Sequence, residues 1–225
     1  VRHHISLSLS VLSFDWNGLK VSLLDTPGYA DFVGEVKVGL RAADGALVLV
    51  CASSGVEVGT EQVWSYLDEA RLPRIVVINK MDRENADFAR ALAQIRERWS
   101  PKCHPIALPI GAQASFSGVV DLISGRVADG KGEPPKEMAA DIASYREKLV
   151  EAVAEQDDAL LTKYLDSGSL TEEEIRAGLR KAAISGAIIP VVVASGLKEI
   201  GAVPILEAIK SCLPSPQERG AAPAR

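Results

Sequence analysis

Nothing in this sequence has the length and polarity of a membrane crossing. No apolar run reaches the roughly 18 residues that a bilayer-spanning helix needs, and no charged-then-apolar leader opens the chain. A basic excess is lacking too. The 25 lysines and arginines are outnumbered by 30 aspartates and glutamates, for a formal net charge of −5, so no footprint for direct nucleic-acid binding is present. Cysteine is scarce: Cys51, Cys103 and Cys212 lie far apart and show no metal-ligand spacing. They are expected to be free thiols of a reducing compartment, which points to the cytoplasm. His3 and His4 are adjacent, but His104 is the only other histidine. A solvated pair is expected there rather than a metal site. Finally, no Gly-x-x-x-x-Gly-Lys run occurs anywhere, the loop whose backbone N–H groups cradle phosphates.

What is there is an ordinary globular composition. The 225 residues are 47% hydrophobic, enough for one large domain or for a domain with an inserted subdomain. The chain opens on Val1 rather than Met, and residues 214–225 are rich in Pro, Ala and Gly. The latter stretch reads as a linker to a following domain, and both ends are expected to continue into a longer chain. Residues 5–14 alternate Ser6, Ser8 and Ser10 against Leu7, Leu9 and Val11, as a strand does. Asn17-Gly18 is a hairpin signal leading into a return strand over 19–24. Phe32, Val36 and Leu40 recur at helical spacing. Residues 46–51 form an apolar run of the kind found in parallel strands buried on both faces. A helix over 61–70, a buried strand over 74–78 and a helix carrying Phe88, Leu92, Ile95 and Trp99 follow. This alternation implies an α/β sheet with crossover helices. It breaks over 101–188, which holds short strand candidates at 105–109 and 119–123, a Gly/Pro-rich loop at 129–135 and two or three polar helices. Thr171 with Glu174 makes a capping box for the last of these. The buried-strand signal returns over 188–194, and a last helix carries Ile205, Leu206, Ile209 and Leu213, with Pro204 near its first turn. The expected organisation is an α/β domain over 1–100 and 189–213, interrupted by an α+β subdomain over 101–188.

Three short motifs follow apolar strands. Asp25-Thr26-Pro27-Gly28 sits at a C-terminal strand end, the edge where doubly wound sheets bind ligands. An Asp there can address Mg²⁺ through water, and a Gly lets a backbone N–H approach a terminal phosphate. The same residues also suit a plain turn. Asn79-Lys80-Met81-Asp82 follows the strand over 74–78. A carboxylate there can accept from the N1–H and exocyclic amine of guanine, a pair adenine cannot offer, while the Lys80 stem covers the base. Helix N-capping is the competing use of Asp. Ala194-Ser195-Gly196-Leu197-Lys198 follows the strand over 189–193. Its small residues can bring main-chain N–H groups to the guanine O6, or form an ordinary loop. Three such motifs in this order, on one edge of one sheet, make the pattern of a GTP-binding protein. Ser195 lies 116 residues beyond Asn79, whereas one β–α–β step needs only about 30, so the excess is an insertion.

At this point the sequence resembles the elongation factor G family of translational GTPases. The resemblance is carried by residues 25–32 (DTPGYADF), Asn79-Lys80-Met81-Asp82-Arg83, Leu108-Pro109-Ile110-Gly111, residues 118–123 (GVVDLI) and Leu213-Pro214-Ser215-Pro216. It covers about residues 2–217. Residues 28–35 (GYADFVGE) are more similar to the elongation-factor-G-like paralogues than to the main translocase. The resemblance implies a P-loop-type α/β GTPase domain, a doubly wound and mostly parallel sheet with an inserted α+β subdomain. It implies GTP and GDP with Mg²⁺ as cofactors and the ribosome, including its stalk, as partner. It puts Asp25 and Ser6 at Mg²⁺, Gly28 at the γ-phosphate, and Asn79, Lys80, Asp82, Ser195 and Gly196 at the guanine.

Three departures qualify it. The family's phosphate loop and its strand belong before Val1, with that strand lying between those over 19–24 and 46–51. The chain as given is therefore expected to bind GTP weakly, since most phosphate affinity comes from that loop. The switch segment Arg-Gly-Ile-Thr aligns with His3, His4, Ile5 and Ser6, which loses the Arg-Gly pair. The family's catalytic His is replaced by Tyr29, and a phenol is a poor base at neutral pH. An alternative of another class stays open: a non-hydrolysing GTP-binding or ribosome-binding module, or an inactive remnant. An in-frame phosphate loop encoded just upstream would favour the GTPase, and a stop codon there the remnant.

Overall fold

A computed structural model describes residues 5–128 and 132–219. The first strand, β1 (Ser10–Trp16), pairs antiparallel with β2 (Leu19–Asp25) in full register, from Ser10 opposite Asp25 to Trp16 opposite Leu19. Asn17 and Gly18 close it with φ of 44° and 76°. That two-residue turn matches the twist of the strands it joins. The alternation over 5–9 predicts strand, but ladder pairing begins at Ser10 because β2 ends at Asp25 and leaves the earlier residues no partner. A short 3₁₀ turn (Ala30–Phe32) then leads into α1 (Val33–Ala42).

The main sheet is built from β3 (Ala46–Cys51), β4 (Arg74–Asn79), β9 (Ile189–Val193) and β5 (Cys103–Pro105), in the order β3-β4-β9-β5 and parallel throughout. The crossovers between its first members are α2 (Val58–Glu69) and α3 (Phe88–Arg98). Every residue of β9 is buried, as are Arg74 through Ile78 of β4. This is why these runs read as continuous apolar stretches rather than alternating ones. Strand β3 departs from that expectation. It is an edge strand here, and Leu49 is 56% exposed. Leu47 and Leu49 line an open cleft of about 440 Å³ with Val77, Ile200 and Ile205. Strands β2 and β3 lie in separate sheets and share no ladder.

The predicted strand over 105–109 resolves into two elements in two sheets. β5 extends the main sheet, while β6 (Ala107–Ile110) pairs with β7 (Gly118–Asp121), and β7 with β8 (Arg126–Val127). Ile106 makes the switch: its N–H donates to Val191 O and its carbonyl accepts from Leu122. Three helices follow, α4 (Ala139–Ala154), α5 (Asp158–Ser167) and α6 (Glu172–Ser185). The capping box at the start of α6 forms as its sequence predicts. Glu174 N donates to Thr171 Oγ1 at 3.3 Å and Thr171 N to Glu174 Oε2 at 2.9 Å. Gly186, with φ of 74°, ends the helix in the left-handed conformation that favours glycine. The last long helix, α7 (Ala202–Cys212), packs on β4 and β9. Residues Pro216–Arg219 form the short helix α8, and Arg180 of α6 reaches Glu218 there at 2.6 Å. One continuous buried cluster joins the main sheet to β6, β7, α4 and α6, through residues such as Ile78, Val193, Leu108, Phe116, Leu149 and Leu179. The three cysteines are free thiols.

Candidate functional site

Because β3, β4 and β9 are parallel, their C-terminal ends fall on one edge. Cys51 is in register with Asn79, and Ile78 with Val193. The loops that leave this edge carry the second and third motifs and are bonded to each other. Asn79 is the hub of one contact. Its Oδ1 accepts from the N–H of Lys80 at 2.7 Å and from that of Gly196 at 3.1 Å, across the whole inserted stretch. The Gly196 N–H is thus committed to Asn79, which ties the two loops together. Lys80 is exposed and turns the chain with φ of 62°, a conformation that non-glycine residues adopt rarely. Met81, fully buried, roots the loop by donating its N–H to Ala194 O at 3.2 Å.

Asp82 is the hub of the other contact. Its Oδ1 accepts the Ser195 hydroxyl at 2.5 Å, and Ser195 is itself 0% exposed. Ser195 Oγ also accepts the N–H of Lys198 at 3.1 Å, so its proton is committed to Asp82. The Ser195 hydrogen bond, with the charges of Lys198 and Arg83 adding to it, holds the Asp82 carboxyl below the usual carboxylate range. The result is an ionised, oriented carboxylate at the sheet edge with one oxygen fixed. That is the chemistry needed to accept a pair of N–H donors from a base. These residues fit a guanine.

The first motif stands apart. Asp25 and Gly28 are exposed and Pro27 is buried. Thr26 Cγ2 lies against Gly39 of α1, and Gly28 O approaches Gly59 near the start of α2. Tyr29 is 56% exposed, and its carbonyl accepts the Phe32 N–H that opens the 3₁₀ turn. Ser6 is exposed in the segment before β1. Glu35 of α1 fastens that segment by accepting the Leu9 N–H at 2.7 Å. Asp25 and Ser6 carry oxygens of the kind a hard cation takes. Among the described residues no group of three or more His, Cys, Asp or Glu could hold a metal by itself. The structure therefore brings Asn79, Lys80, Asp82, Ser195 and Gly196 into one bonded unit, and leaves Asp25, Gly28, Tyr29 and Ser6 outside it. His3 and His4 lie outside the described residues.

Two features escaped the sequence reading. Cys51 sits at the same edge, and its thiol is lowered from the ordinary range to about 7. Burial raises it, but hydrogen bonds from Ser53 and Ser54 together outweigh that. Lys198 reaches beyond its own loop: its Nζ donates to Ala114 O at 3.2 Å and Phe116 O at 3.3 Å. Neither contact leaves a periodic signal, since each depends on which loops the topology brings together.

A parallel α/β sheet with ligand-directed loops on its carboxyl edge defines a nucleotide-binding class of fold. Within it, residues 2–215 match the elongation factor Tu GTP binding domain family, and the chain belongs to that family. The chain is also similar to a protein of Thermus thermophilus known from its crystal structure, with 38% identity and a TM-score of 0.89. The match covers 97% of this chain but 34% of that protein, so the chain spans about a third of the relative's length. No helix among the described residues is long and apolar enough to cross a membrane.

Proposed function

We propose that this chain is the GTP-binding domain of an elongation-factor-G-like translation factor, coupling GTP binding and hydrolysis to action on the ribosome in the cytoplasm. The observation that carries the reading is the bonded unit of Asn79, Asp82, Ser195 and Gly196 across 117 residues of sequence. In it, Asp82 selects guanine, Lys80 covers the base, and Asn79 holds Gly196 in place. Asp25 and Ser6 address Mg²⁺, Gly28 the γ-phosphate, and Tyr29 stands where the family's catalytic His belongs. When bound, Mg²⁺ supplies charge that neutralises the phosphates. The GTPase domain comprises 1–100 and 189–213, and the inserted subdomain 101–188. By resemblance, the acidic helices over 139–185 lie in the part that meets the ribosomal stalk, a solvated face being the other use of their charges.

The test is Asp82→Asn in the full-length protein. The amide cannot accept both guanine donors, but it can donate to the 2-oxo group of xanthine. GDP binding falls by about a hundredfold or more, from the loss of charge-assisted hydrogen bonds, and xanthosine nucleotides bind better than GDP. Equal GDP binding by wild type and variant in a competition titration removes the assignment. Tyr29 favours a second reading, a module that binds GTP without fast hydrolysis. Turnover by the Tyr29→His variant separates the two.

A further inference from the structure

The inserted subdomain touches the base-binding unit at the tip of its β6–β7 hairpin, over 111–117. The tip is a tightly specified turn. Gly111 has φ of 72°, and a Cβ there would collide with the Ser115 backbone. Gln113 also sits in the left-handed region, with φ of 56°. Ser115 Oγ accepts the Ala112 N–H at 3.2 Å and donates to Ala112 O at 2.7 Å, and Phe116 is buried beneath. The Gln113 N–H donates to Met81 O at 2.8 Å, inside the Asn79–Asp82 loop. Two carbonyls of the tip, Ala114 O and Phe116 O, accept from Lys198 Nζ at 3.2 and 3.3 Å.

Lys198 therefore works at both ends. Its side chain grips the tip, while its N–H fixes Ser195 Oγ, whose proton holds Asp82. We infer that Lys198 is a positioning residue. It latches the hairpin tip of the inserted subdomain to the base-binding loops and slows release of the guanine nucleotide. The lysine touches no nucleotide through this contact; it acts through Ser195 and Asp82. A force or partner that displaces the tip would loosen both base-binding loops together, because the tip is bonded to Met81 in one and to Lys198 in the other. The inference rests on the guanine reading of the site.

The experiment uses the full-length protein as wild type, Lys198→Met and Lys198→Arg. GDP dissociation is followed by chase of a fluorescent GDP, and amide hydrogen exchange is followed with and without GDP. Lys198→Met is expected to speed GDP release about fivefold, equivalent to about 1 kcal/mol. Exchange should rise at the Gln113 and Gly196 amides, and Lys198→Arg should restore both. A rise confined to Gln113, with GDP release within about twofold of wild type, overturns the proposal by showing that the latch holds only the turn. No change at either amide overturns it by showing that the bonds do not order the loops in solution. Should wild type bind no GDP, the guanine reading fails, and Gly196 exchange still decides the coupling: a rise in Lys198→Met supports it and no rise refutes it.

Discussion

Replacing Ser195 by alanine tests the bonded unit at its centre. The hydroxyl makes two contacts: it donates to Asp82 at 2.5 Å and accepts from the Lys198 N–H at 3.1 Å. The first is a hydrogen bond to a charged group, worth about 1.5–3 kcal/mol net, and the second a neutral one worth about 0.5–1.5 kcal/mol. Neither sum is fully lost. Asp82 is only half-buried and Lys198 is exposed, so water replaces part of each bond. Ser195 itself is fully buried, and alanine leaves only a small void at that position. A stability loss of about 1–2 kcal/mol follows. Nucleotide affinity falls for a different reason. Asp82 remains able to accept from guanine but must be immobilised on binding, and a roughly tenfold loss of GDP affinity is expected, equal to about 1.4 kcal/mol. Losing the Ser195 donor also lets the Asp82 carboxyl rise toward its ordinary range. Titration of the full-length variant with fluorescent GDP, beside a thermal melt, separates the two effects. GDP affinity within about twofold of wild type in a folded variant would show that Asp82 needs no second residue to hold it, and the account of this edge would be wrong.

Tyr29→His should raise ribosome-stimulated GTP turnover roughly ten- to a thousandfold, the worth of one well-placed polar group, while GDP affinity stays nearly unchanged; an unchanged or lower rate with ribosome binding intact would show Tyr29 to be competent or structural. The tie between α6 and α8 should be acid-sensitive. Glu218 is held down to about 2 by the Ser215 N–H and then by the Arg180 guanidinium. With the folded value depressed, its contribution is complete above the free carboxylate value of about 4.3 and is lost as pH falls toward about 2. A carboxyl NMR titration of Glu218 in wild type checks this, and Arg180→Ala should move the midpoint upward.

The two inner strands of the main sheet were legible because burial on both faces writes itself into sequence as a continuous apolar run. Arg74–Asn79 and Ile189–Val193 fall where those runs place them. The capping box of α6 was legible for a similar reason, since Thr171 and Glu174 recognise each other over one turn of chain. The base-binding unit was legible only as a coincidence of motifs, and what its sequence could not disclose is that Asn79 and Asp82 find their partners in the loop after β9. Where local information ran out, the errors have one cause. The alternation over 5–9 satisfies strand spacing, yet a strand needs a neighbour, and β2 ends at Asp25. The run over 46–51 satisfies the spacing of a doubly buried strand, yet burial needs a covering layer, and Leu49 faces an open cleft. Residues 105–109 read as one strand because nothing local marks Ile106, the residue at which the chain passes from one sheet to the other. Periodicity states what a segment could bury. Whether it is buried depends on what the rest of the chain sets against it, and so does the carboxylate of Asp82, which becomes an oriented acceptor only when Ser195 arrives from the far side of the insertion.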